Sequence, residues 1–84
     1  MINKDFVRRY INSNSPSGFE EEGQRIWIDY IRPFIDKIET DAMSNVVGVI
    51  NPDAKYKVAL VAHADEVAWA VSYITKEGYC YVDR

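Results

Sequence analysis

The most constraining feature of the sequence is an apolar run, residues 58–62 (VALVA), followed at once by the chain's single histidine, His63. Side chains of a strand alternate between two faces, and a run that is apolar on both faces is typical of a strand covered on both sides. We therefore predict a central buried strand over residues 56–63. Asp65 lies two residues after His63, so that both side chains would point to one face. Ligands of α/β sheets gather outside the carboxyl ends of strands, which makes this pair the first candidate for a functional site.

Two helices are predicted ahead of the strands. Residues 6–11 carry apolar side chains at helical spacing, and Asn3 is a suitable cap for this first helix. Ser17 and Glu20 match a capping box at the start of the second helix. Pro33 lacks a backbone donor, so the regular helix should end or kink just before it.

Beyond the second helix the pattern changes to short strands separated by turn formers. The predicted strands are residues 37–40, 45–50, 56–63, 67–74 and 79–82. We predict an α/β fold in which two N-terminal helices pack on a sheet of about four to five short strands. No helix follows the central strand and the sheet would keep open edges. The chain is therefore expected to be an incomplete portion of a larger catalytic domain.

Charge and composition exclude several classes of function. The net charge is −3 and the basic residues are scattered, which argues against nucleic-acid binding. Charged residues interrupt the most apolar stretch, so that no membrane span is expected. A single cysteine fits a reducing compartment, and the charged first ten residues do not look like a signal peptide. We expect a cytoplasmic protein.

The chemistry of His63 and Asp65 allows two interpretations of their role. Imidazole is a good ligand for Zn²⁺ or Co²⁺, and a neighbouring carboxylate can hydrogen-bond the other ring nitrogen and fix its tautomer. The same two residues also fit an ordinary ion pair at a strand end. A catalytic zinc takes three protein ligands, and the chain offers only one histidine. The ligand count by itself argues against autonomous catalysis.

Three sequence motifs occur in an order that is found in a known family: residues 15–20 (SPSGFE), 38–46 (IETDAMSNV) and 58–67 (VALVAHADEV). With these motifs the chain resembles the N-terminal segment of the M42 family of metallo-aminopeptidases, which includes glutamyl aminopeptidases and TET peptidases. The resemblance covers nearly the whole chain but only the first segment of the family.

The resemblance implies specific roles. His63 would be a ligand to one metal of a two-metal site, and Asp65 would be a catalytic residue that orients His63. The complete enzyme would use two divalent ions, Zn or Co, to remove N-terminal residues from peptides, and it would be a homo-oligomer. Residues 1–66 would belong to the peptidase catalytic domain, and residues 67–84 would lead toward a missing inserted β domain. The family's other site residues lie downstream, so this chain alone is expected to be inactive.

Three alternatives to this interpretation remain open. The chain could be a non-catalytic remnant that acts as an oligomerisation or binding module through its sheet edge. It could also be one half of a two-chain enzyme, in which another polypeptide supplies the remaining ligands. A cloned or proteolysed piece of a larger enzyme is the third reading.

Overall fold

The computed structural model describes residues 2–83; Met1 and Arg84, the outer bounds of the predicted segments 1–66 and 67–84, lie outside the described residues. Two helices come first, α1 (Lys4–Ile11) and α2 (Glu21–Ile31), and a 3-10 turn (Arg32–Phe34) extends the second. Four strands follow: β1 (Lys37–Thr40), β2 (Val46–Val49), β3 (Ala70–Ile74) and β4 (Cys80–Asp83). This order confirms the predicted α/β class. Within residues 2–83 no helix has both the length and the apolar character that crossing a membrane requires.

Helix α1 begins where the sequence predicts it. Oδ1 of Asn3 accepts a hydrogen bond from the backbone N–H of Phe6 at 3.0 Å, which confirms the predicted cap. The helix packs on α2 through the stacked rings of Phe6 and Tyr30, whose centroids lie 4.0 Å apart. These contacts place the end of α1 beside the linker that leads into α2.

The start of α2 differs from the predicted capping box. The hydroxyl of Ser17 donates to the carboxylate of Asp65 and does not cap the helix. Ser15 caps it from a distance, because its Oγ accepts a hydrogen bond from the N–H of Gly23 at 2.9 Å. Ser15 is only 4% exposed, and a Cβ on Gly23 would lie 2.5 Å from its Oγ. The prediction of Ser17 as the cap is therefore wrong: glycine at position 23 lets the linker fold closely over the first turn of α2, with Ser15 innermost.

The end of α2 agrees with the sequence. The α-helix ends at Ile31, and Pro33 lies in the 3-10 turn that follows. Strands β1 and β2 then form an antiparallel hairpin that packs against α2. The approach is close at Gly48, where a Cβ would come within 2.9 Å of Cδ1 of Ile31.

The turn between β1 and β2 is organised by one carboxylate. Oδ1 of Asp41 accepts hydrogen bonds from the backbone N–H groups of Met43 at 2.9 Å and of Asn45 at 3.0 Å. Oδ2 of Asp41 accepts from the side-chain amide of Asn45 at 2.9 Å. Hydrogen bonds from Asn45, first from its side chain and then from its backbone, lower the pKa of Asp41. Asp41 is therefore a turn residue.

Strands β3 and β4 form a second antiparallel hairpin, and every residue of both strands is exposed. The predicted loop at residues 75–78 is confirmed. Thr75 and Tyr79 close it with an N–H to carbonyl hydrogen bond of 2.9 Å, and Gly78 has a φ of 92° there.

Residues 56–63 do not form the predicted central strand. Val58 is 90% exposed and Leu60 is 97% exposed. A strand needs a neighbour for its backbone N–H and C=O groups, and within residues 2–83 strand pairing joins only β1 with β2 and β3 with β4. The predicted single sheet is thus replaced by two hairpins. No apolar side chain of the described residues is buried.

Candidate metal-ligand site

The segment after residues 56–63 is fastened to the end of α1 and to the α1–α2 linker. The hydroxyl of Tyr10 donates to the carbonyl of Ala64 at 3.2 Å. The backbone N–H of Glu66 donates to the carbonyl of Ser15 at 3.1 Å. Because these contacts hold the residues on both sides of Asp65, hydrogen bonds position the segment that directly follows the predicted strand.

His63 and Asp65 are brought together, as their spacing predicts. Nδ1 of His63 lies 3.0 Å from Oδ1 of Asp65 and 3.0 Å from the backbone carbonyl oxygen of the same residue. The imidazole is 85% exposed, and the carboxylate is 36% exposed. Among the hydrogen bonds of residues 2–83, those of the His63 ring are made by Nδ1. Nε2 is consequently the ring nitrogen that remains available to a ligand or a metal ion.

The carboxylate of Asp65 is held at both oxygens. Oδ1 faces His63, and Oδ2 accepts a hydrogen bond from the hydroxyl of Ser17. The hydrogen bond from Ser17, followed by that from His63, lowers the pKa of Asp65 below its ordinary value. The group therefore stays ionised at neutral pH and acts as an acceptor toward both partners.

His63 and Asp65 lie on the wall of an open groove of about 540 Å³. The groove is lined by both helices, by the residue that precedes α2, by the β1–β2 turn with the first residue of β2, and by the segment that leads to Asp65: Phe6, Tyr10, Glu20, Gln24, Trp27, and residues 43–46 and 60–65. Its volume lies within the range of about 300–1,000 Å³ that is usual for small-ligand sites. Partial burial, together with the negative charge of Asp65, raises the pKa of Tyr10, so its phenol remains a hydrogen-bond donor.

Comparison with known proteins gives the lineage. No protein-family model matches the chain. A provisionally named aminopeptidase of Acetivibrio thermocellus is 31% identical over 75 residues, which are 89% of this chain and 22% of that protein. The provisionally named aminopeptidase FrvX of Escherichia coli K12 is 28% identical over 78 residues, which are 93% of this chain and 22% of that protein. The TET aminopeptidase of the marine-sediment archaeon Thaumarchaeota archaeon SCGC AB-539-E09 superimposes with a TM-score of 0.84 and 29% identity, over 95% of this chain and 22% of that one. The chain is a relative of these aminopeptidases.

The relationship confirms the predicted resemblance to the N-terminal segment of M42 aminopeptidases. The aminopeptidase relatives are much longer, since this chain spans 22% of the length of each. The roles assigned to His63 and Asp65 from the resemblance stay predictions, because the relationship concerns the chain as a whole and not these side chains.

The donor set of this aminopeptidase relative fits one part of a metal site. Within residues 2–83, no three side chains of His, Cys, Asp or Glu converge in a way that could hold an ion. His63 presents Nε2 to solvent and has a carboxylate on Nδ1, which is the arrangement of a metal-ligating histidine. The chain thus offers one suitable ligand, whereas zinc in a catalytic site takes three.

The sequence does not reveal the groups that hold His63 and Asp65 in place. Ser17 is predicted as a helix cap, yet it bonds Asp65, and Tyr10 is predicted only as part of an apolar stripe. Both contacts join parts of the chain that are far apart in sequence, and no local pattern encodes such a contact. The one available signal is that the SPSGFE motif and the HADE segment both belong to the family resemblance.

Proposed function

We propose that this chain is the part of a metal-dependent M42 aminopeptidase that supplies one metal ligand, His63, and its orienting acid, Asp65. The observation that carries the proposal is the hydrogen bond between Nδ1 of His63 and Oδ1 of Asp65, at 3.0 Å. It leaves Nε2 exposed at the groove and fixes the orientation of the ring. The aminopeptidase relationship supports the reaction class.

The complete enzyme would hold two divalent ions, zinc or cobalt, and would remove N-terminal residues from peptides. When bound, the ions supply an activated water and polarise the scissile carbonyl group. The residues of this chain do three things toward that end. His63 offers Nε2 as a ligand, Asp65 keeps the imidazole oriented, and the groove beside Tyr10 and Trp27 offers an aromatic wall to a substrate.

The remaining ligands would come from polypeptide that corresponds to the rest of the relatives. A single imidazole does not hold zinc in a catalytic geometry, and so the isolated chain would be inactive. The complete enzyme would work in the cytoplasm as a homo-oligomer.

One observation favours a second function, that of a non-catalytic binding module. Val58, Leu60 and Val61 are each at least 90% exposed. Among residues 2–83 no strand pairs with this segment, and exposed apolar side chains on such a segment suit strand addition by another polypeptide. The two functions differ in whether His63 has any chemical role.

A chimera separates them. The segment of the TET aminopeptidase that corresponds to this chain is replaced by this chain, and hydrolysis of aminoacyl p-nitroanilides is measured with added Zn²⁺ or Co²⁺. We expect activity in the chimera, a loss of at least about 100-fold in His63→Ala, and a loss of about 10- to 100-fold in Asp65→Asn. Lys57→Ala, an exposed lysine in the same segment, is the matched control and should keep full activity.

The proposal is contradicted if the chimera assembles and hydrolyses the substrate, and if His63→Ala leaves that activity unchanged. A chimera that assembles to the size of the parent enzyme and binds no metal counts against it as well. Either result would favour the binding module.

A further inference from the structure

We propose that Ser17 is a positioning residue for the site, and that its hydroxyl holds the Asp65 carboxylate so that His63 keeps its ring proton on Nδ1. The use of the resulting bare Nε2 as a metal ligand rests on the proposed function; the hydrogen-bond relay itself does not. Nothing in the capping pattern of the sequence suggests this role, because the pattern assigns Ser17 to helix α2.

The relay has one contact at each carboxylate oxygen. The hydroxyl of Ser17 donates to Oδ2 of Asp65, and Oδ1 of Asp65 faces Nδ1 of His63 at 3.0 Å. A carboxylate bonded at one oxygen can turn about its Cβ–Cγ bond, whereas bonds at both oxygens fix its plane. Ser17 therefore determines where Oδ1 points.

The proton on His63 follows from what Nδ1 faces. Both neighbouring atoms, Oδ1 and the backbone carbonyl oxygen of Asp65, lie 3.0 Å away, and both are acceptors when the carboxylate is ionised. In the neutral ring Nδ1 must then carry the hydrogen, and Nε2 carries the lone pair. If the carboxylate turns away, the carbonyl alone remains as a partner and the preference for this tautomer weakens.

The backbone around Ser17 is fixed independently of its hydroxyl. Pro16 pairs with Glu66 in an isolated parallel bridge, and the N–H of Glu66 donates to the carbonyl of Ser15 at 3.1 Å. Tyr10 holds the other side of Asp65 through the carbonyl of Ala64. Removing the hydroxyl of Ser17 should consequently free the carboxylate without releasing the segment.

The tautomer of His63 can be measured by ¹⁵N NMR without assignment of the ring signals to a residue, because the chain has one histidine. The chain is labelled with ¹⁵N-histidine, and the Nδ1 and Nε2 shifts are recorded at about pH 9, where imidazole side chains in general are neutral. We expect the Nδ1–H form to predominate in the parent chain and to fall by at least about twofold relative to the Nε2–H form in Ser17→Ala. Ser17→Thr keeps a hydroxyl and should restore the parent ratio.

Ser72→Ala is the matched control, because Ser72 is also exposed and its hydroxyl donates to the carbonyl of Tyr81, on the distant β3–β4 hairpin. It should leave the ratio unchanged. The inference is overturned if the parent chain is mainly Nε2–H, or if Ser17→Ala keeps the parent ratio. It is also overturned if Ser17→Thr fails to restore the ratio while the far-UV circular dichroism of both variants matches the parent.

A second readout connects the relay to the metal. In the chimera, Zn²⁺ affinity should fall about 10- to 100-fold in Ser17→Ala and recover in Ser17→Thr. If the tautomer follows Ser17 while the chimera binds no metal through His63, the relay stands and the proposed function fails. If the chimera binds metal through His63 while Ser17→Ala leaves the tautomer ratio unchanged, the proposed function stands and the role of Ser17 fails.

Discussion

Substitution of Gly23 by alanine tests the packing of the α1–α2 linker on helix α2. Helix propensity predicts that this substitution raises the free energy of unfolding, whereas the contacts in the structure predict that it lowers it. Gly23 is buried in the first turn of α2. In a helix, alanine is more favourable than glycine by about 1 kcal/mol. Propensity alone therefore predicts that Gly23→Ala makes the chain more stable.

The contacts around Gly23 in the structure oppose this gain in stability. A Cβ at position 23 would lie 2.5 Å from Oγ of Ser15 and 3.2 Å from Oγ of Ser13. The easiest relief is rotation of the Ser15 hydroxyl, which breaks the 2.9 Å hydrogen bond from the N–H of Gly23 and leaves a buried donor without its partner. A buried donor left without its partner costs about 1–3 kcal/mol. Subtracting the gain of about 1 kcal/mol leaves a net loss of up to about 2 kcal/mol.

The assay is urea denaturation of the chain followed by far-UV circular dichroism. Gly23→Ala should lower the free energy of unfolding, and in a Ser15→Ala background the same substitution should become neutral or stabilising, because the closest atom is gone. Asp29→Ala on the exposed face of α2 is the control and should stabilise slightly through propensity. A Gly23→Ala chain that is more stable than the parent would refute the packing of the linker on α2.

Two further substitutions test other parts of the chain. Because hydrogen bonds from Asn45 lower the pKa of Asp41, the stabilisation of the β1–β2 turn is complete above the ordinary carboxyl pKa of about 4 and is lost as the pH falls through the lowered folded pKa. Asp41→Asn should remove this acid dependence from the amide shift of Asn45, and an unchanged dependence would contradict the assignment. Leu60→Ala should change the free energy of unfolding of the chain by less than about 0.5 kcal/mol, because Leu60 is 97% exposed. A loss of about 2–5 kcal/mol in urea denaturation would instead indicate a buried strand.

Features that depend on neighbouring residues were predictable from the sequence. The cap at Asn3, the end of α2 before Pro33 and the β3–β4 turn with Gly78 each need only a few consecutive residues. The pairing of His63 with Asp65 belongs to the same class, since two residues of spacing suffice to bring the side chains together.

Features that depend on distant partners were not predictable in the same way. The apolar segment 56–63 has the composition of a buried strand, but a strand forms only where another strand pairs with it. Within residues 2–83 none does, so that Leu60 and its neighbours remain exposed. The prediction of a capping box failed for the same reason. The hydroxyl of Ser17 could cap helix α2 locally, but it donates instead to the carboxylate of Asp65, which lies far along the chain.

The proposed function requires that His63 binds a divalent cation through Nε2 while Asp65 holds Nδ1. The most direct measurement is anomalous diffraction at the zinc edge from crystals of the zinc-loaded chimera. We expect an anomalous peak about 2.1 Å from Nε2 of His63, with Asp65 still hydrogen-bonded to Nδ1. A zinc ion on Nδ1, or a loaded site in which His63 is not a ligand, would contradict it.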